Sequence, residues 1–118
     1  MANVPSYSTN FQSALAGTVV AVKTTGGKLY GIEASNSNTV TEWIQIFDLA
    51  SADITLGTTT PKLSFLVPKG ASATDQGGMD KIWPDGIDFS LAIRVAATTA
   101  PTGGTGAGTG LTVNFLYK

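Results

Sequence analysis

Ile87-Asp88-Phe89-Ser90-Leu91-Ala92-Ile93-Arg94-Val95 carries an apolar side chain at every second position, with small or charged side chains between. A two-residue period of this length is that of a β-strand with one buried face and one outward face. The same period returns at the end of the chain, where Leu111, Val113, Phe115 and Tyr117 alternate with Thr112 and Asn114. Both ends of the 98–110 segment therefore read as strands. The segment itself, TTAPTGGTGAGTG, is rich in threonine and glycine and reads as a long loop, mobile or laid on a partner.

Further strands follow upstream. Thr18–Lys23 and Leu29–Ala34 flank Thr24-Thr25-Gly26-Gly27, a pattern that predicts a hairpin whose glycines accept positive φ. Residues 41–48, TEWIQIFD, are apolar on both faces, Trp43 and Phe47 on one and Ile44 and Ile46 on the other. Such a strand is central or lies beneath another subunit. Lys62–Val67 is bounded by Pro61 and Pro68, which suit strand ends because proline cannot donate to a ladder. Ala71–Thr74 is a short further candidate. No window shows helical periodicity, and Leu49–Ile54 holds one helical turn at most.

Seven or eight short strands separated by turn-rich segments predict an all-β, single-domain antiparallel β-sandwich or jelly roll. Residues 1–16 lack sustained alternation and read as an extended N-terminal arm, leaving 17–118 as the sandwich domain.

Composition removes much of enzyme chemistry. The 118 residues include no cysteine and no histidine, which excludes Ser-His-Asp and Cys-His catalysis, haem, iron–sulfur clusters and ordinary zinc sites. Seven basic residues stand against eight acidic ones, and charged residues make up 13% of the chain, about half the usual density. The basic residues are scattered without a run, so no nucleic-acid partner is expected. The N-terminus has no basic, apolar signal pattern, and no stretch of about 20 apolar residues occurs. The expectation is a product made soluble in the cytosol, with no membrane partner.

The remaining motifs favour plain structural readings. The glycines of 103–110 match neither a P-loop nor GxGxxG, and they lead into a strand. Asp75, Asp80, Asp85 and Asp88 lie close in sequence but lack any calcium-loop spacing, and Asp85-Gly86 after Pro84 reads as turn chemistry. Paired carboxylates of a glycosidase would need a deep cleft that nothing here implies. Trp83, placed before a proline turn, is the best candidate for an exposed sugar-stacking ring. No cofactor, metal or catalytic residue is assigned.

Leu29-Tyr30-Gly31-Ile32, Asn36-Ser37-Asn38, Trp43-Ile44-Gln45-Ile46-Phe47-Asp48, Leu56-Gly57-Thr58-Thr59-Thr60-Pro61, Val67-Pro68 and Leu116-Tyr117-Lys118 occur in that order. Together they resemble small virion proteins of tailed bacteriophages, most similar to capsid decoration (cement) proteins, over residues 29–118. The resemblance implies a β-sandwich subunit, often a trimer, on the particle surface, clamping the major capsid protein of the same virion. Its partner and oligomer contacts are then expected at Trp43, Ile44, Ile46, Phe47 and Trp83, and along the arm at Val4, Pro5, Tyr7 and Phe11. A tail or fibre component, or a module binding glycans or a host surface, would share these features.

Overall fold

A computed structural model describes residues 6–72 and 74–118. Eight strands follow one another: β1 (Ser8–Leu15), β2 (Val20–Lys23), β3 (Gly27–Asn36), β4 (Glu42–Phe47), β5 (Leu63–Val67), β6 (Gly77–Phe89), β7 (Ile93–Thr98) and β8 (Leu111–Tyr117). A single turn of 3-10 helix at Ser51–Asp53 is the helical element among the described residues. The strands form two antiparallel four-stranded sheets, ordered β1-β8-β3-β6 and β2-β7-β4-β5. Every connection except β4 to β5 passes from one sheet to the other. This rolled-up order is that of a jelly roll, a sandwich of two Greek keys.

The core lies between the sheets. Leu29, Ile32, Val113 and Phe115 from the first sheet meet Ile44, Ile46, Ile93 and Val95 from the second. Period-two alternation sends these side chains inward, and each is almost completely removed from water.

Four expectations are corrected. The stretch 87–95 is not one strand: β6 ends at Phe89, the chain crosses between sheets at Ser90–Ala92, and β7 starts at Ile93. Alternation survives the crossing because both sheets face one core. Phe89 and Ile93 are buried in it from opposite sides, while Leu91, at the corner, is 57% exposed.

The Thr24–Gly27 segment is likewise a crossing rather than a hairpin, since β2 and β3 belong to different sheets. Its glycines serve close approach and not positive φ, which among the described glycines is confined to Gly57, Gly86 and Gly110. A Cβ on Gly26 would sit 2.5 Å from the Ser90 carbonyl oxygen, so the two crossings can run side by side only without that side chain.

Residues 8–15 are not part of a free arm. They form β1, paired with β8 from Ser8 opposite Tyr117 to Leu15 opposite Leu111, and Leu15 is buried in the core. Their alternation is weak because β1 is an edge strand whose inward positions before Leu15 are Asn10 and Gln12, joined by a side-chain hydrogen bond of 2.8 Å. Val4 and Pro5, expected partner contacts of the arm, lie outside the described residues.

Around 71–74, the described residues form an isolated bridge between Ser72 and Asp75 in place of the expected strand.

Candidate functional site

The two apolar faces of β4 are both covered by the chain itself. Ile44 and Ile46 point into the sandwich core and are fully buried, so they are not the interface expected from the sequence. On the opposite face, Phe47 is also fully buried and Trp43 half-buried. The glycine-rich loop lies over this face: the Gln45 amide donates to the Thr98 hydroxyl at 2.7 Å and to the carbonyls of Gly103 at 2.9 Å and Ala100 at 3.3 Å. Gly104 packs against Leu56 and Gly57 of the β4–β5 connection, so the two loops meet above the sheet. The Asn36 and Asn38 side chains fasten the far end, Asn38 accepting the Thr109 N–H at 2.8 Å. The loop expected to be mobile or laid on a partner lies on its own strand.

Trp83 is also turned inward. It packs against the core and its ring lies 5.4 Å from that of Phe65, bridging the two sheets at their β5–β6 edge. The neighbouring Pro84-Asp85-Gly86 forms a bulge in β6 opposite Tyr30, with Gly86 at φ +73°. Trp83 therefore offers no exposed stacking ring. Nor do the four aspartates converge: Asp88 pairs with Lys28 at 3.0 Å, and no group of three potential ligands gathers among the described residues.

What remains open is the outer face of the first sheet. The register across β1, β8, β3 and β6 lines up Thr9, Leu116, Gly31 and Ile82 in one row and Phe11, Asn114, Glu33 and Asp80 in the next. Phe11 is 59% exposed and Ile82 68%. Tyr7, in the segment leading into β1, stacks obliquely on Tyr30 with ring centres 4.6 Å apart and is itself 37% exposed. Tyr7 and Phe11, two of the expected contact residues, thus share one solvent-facing surface with Ile82 and Leu116. Large apolar side chains grouped on one sheet face make this the candidate interaction surface, while Val40, Leu66 and Leu91 are exposed elsewhere.

A depression of about 340 Å³ opens in this face. Gly31 forms its floor; Ile82 and Leu116 stand on either side, and Glu33, Asp80 and Asn114 close one end. A second, more polar depression continues from the same two carboxylates past Ser35 and Gly78.

No known protein family, curated protein or solved structure matches the chain.

The outer-face surface was hidden in the sequence for two reasons. Ile82 sits in β6 beyond a bulge that breaks its period, and Glu33 and Asp80 become neighbours only through pairing across 47 residues of chain. The visible signal was Gly31, a small residue in the middle of an otherwise well-formed strand, which marks a close approach or a depression.

Proposed function

We propose that the protein is a structural subunit of a tailed-bacteriophage virion, a decoration or cement protein that binds the outside of the head and stabilises it. The motifs of residues 29–118 support this reading, and the jelly roll is an architecture found repeatedly in viral capsid domains, which is support by analogy. The single observation that carries it is the apolar outer face of the first sheet, with Tyr7, Phe11 and Ile82 exposed and Leu116 half-buried beside them. In this reading that face, and not β4, meets the major capsid protein. Many shallow contacts repeated by particle symmetry then resist dissociation of the shell without any turnover of substrate. In this reading the trimer implied by the resemblance uses surfaces other than Ile44, Ile46 and Phe47, which are buried within the chain.

Particles stripped of the protein are expected to release their genome at lower temperature than complete ones, and adding the protein back restores resistance. Equal robustness of stripped and complete particles overturns the reading.

A second reading, a glycan- or host-surface-binding module, draws on the exposed Phe11 ring beside the Asn114 amide and the Glu33 carboxylate. An aromatic face next to hydrogen-bonding groups suits a sugar ring. Binding to a glycan array, lost in Phe11→Ala, together with no effect on particle stability, decides for it.

A further inference from the structure

Glu33 and Asp80 lie directly opposite each other on β3 and β6, both on the outer face of the first sheet and both exposed. Like charges placed this way repel and weaken the strand pair. The ion pairs among the described residues are Lys28–Asp88 and Lys62–Asp48, so neither member of the Glu33–Asp80 pair is compensated by a lysine or arginine. The pair also stands where the two depressions meet: the apolar one between Ile82 and Leu116, and the polar one past Ser35 and Gly78. In the first, the Ile82 side chain reaches over Gly31, where a Cβ would come 2.9 Å from the Ile82 Cδ1.

We infer that this groove receives an extended segment of a partner protein that presents a lysine or arginine between Glu33 and Asp80. Three features fix the chemistry of the occupant. The uncompensated carboxylates call for a cation. The Ile82–Leu116 walls call for an apolar side chain two residues away, since alternate residues of an extended segment point the same way and lie roughly 6.8 Å apart. The small residues Ser35 and Gly78 leave room on the far side for a small polar residue. The segment is therefore apolar-x-basic-x-polar. This rests on the reading of the outer face as the attachment surface and adds the chemistry of what attaches there.

The test uses the full chain, labelled for amide NMR, and two synthetic pentapeptides, Ac-Leu-Thr-Lys-Thr-Ser-NH2 and the same peptide with norleucine in place of lysine. Expected are saturable shifts at Gly31, Glu33, Asp80 and Asn114 with the lysine peptide, binding at least roughly tenfold weaker with the norleucine peptide, and weakening by added salt. The double variant Glu33→Gln, Asp80→Asn should lose the lysine peptide while melting at the same temperature as the parent or higher, because a repulsion has been removed. That combination separates a binding role from a structural one.

Equal binding of the two peptides, no binding of either, or shifts at these amides produced only by a neutral oligosaccharide or by calcium chloride overturns the inference. Co-sedimentation with stripped phage heads keeps the two readings apart. Attachment to heads that is unchanged in the double variant sinks the groove and spares the proposed function. Lysine-peptide binding without attachment to heads does the reverse.

Discussion

The carboxylate of Asp48, at the end of β4, holds the backbone of Leu91 at the corner between the sheets: its Oδ1 accepts the Leu91 N–H at 2.7 Å. The same side chain accepts the Ser90 N–H at 2.8 Å and the Ala92 N–H at 3.2 Å. One side chain thus satisfies three consecutive donors that belong to neither sheet, where the chain leaves β6 for β7. Lys62 stands 3.9 Å away on the other side. Partial burial by itself would raise the Asp48 carboxyl; the three backbone donors and Lys62 outweigh it and hold the group below its ordinary value.

Asp48→Ala should therefore destabilise the fold by about 2–4 kcal/mol, as expected for losing charge-assisted hydrogen bonds to a fixed backbone. Asp48→Asn, which keeps one acceptor oxygen, should fall between that variant and the parent in urea unfolding. Because the folded-state value is lowered, this contribution is complete above the unfolded carboxyl value of about 3.9 and disappears as pH falls through the folded one. Acid unfolding of Asp48→Ala should accordingly lack part of the parent's loss of stability below about pH 4; parallel curves would refute the assignment.

Glu42 has the opposite sign. It lies at the start of β4, 1% exposed, and neither carboxylate oxygen has a hydrogen-bond partner. Burial raises its carboxyl above the ordinary value. Below the unfolded value of about 4.3 the group carries no penalty; as pH climbs from there through the raised folded value, stability is lost. Glu42→Gln should be more stable than the parent at pH 7.5, with the difference shrinking toward pH 4. A difference that does not change with pH would show that charge is not its cause.

Gln45 joins β4 to the glycine-rich loop through one side-chain amide. Gln45→Ala should cost about 1–3 kcal/mol and release the loop, removing the side-chain donor of the part-buried Gly103 carbonyl while Ala100 keeps the Thr98 hydroxyl. Hydrogen exchange checks this at Thr99 and Ala107, whose amides bond to Thr105 and Ala97 within the loop and its base. Both should exchange faster in the variant while amides of β8 stay protected.

Removal of residues 1–16 should lower the melting temperature substantially, by the loss of β1 and of Leu15 from the core. It would also bare the edge of β8, a template for strand pairing between molecules, so the truncated protein should aggregate on heating. Thermal unfolding with light scattering tests both; an unchanged melting temperature would return 8–15 to the status of an arm.

The sequence by itself determined that the protein is all-β, a sandwich or jelly roll, with β8 at Leu111–Tyr117 and a strand around Ile44 and Ile46. It could do so because alternation with a period of two reports which side chains avoid water. It read Tyr7 and Phe11 as part of an arm, whereas pairing with β8 puts Phe11 in β1 on the outer face of the first sheet. Alternation does not report which sheet a strand joins. Phe89 and Ile93 point into the same core from opposite sheets, so the crossing at Ser90–Ala92 reads as uninterrupted strand, and the β2–β3 crossing reads as a hairpin. Nor does an apolar face say what covers it: Phe47 is fully buried within the chain, and Gln45 on the same face is held by a loop more than fifty residues away, as its bond to Ala100 shows. The row that brings Glu33 against Asp80 beside Ile82 and Gly31 likewise exists only through strand pairing, and tertiary structure alone decided it.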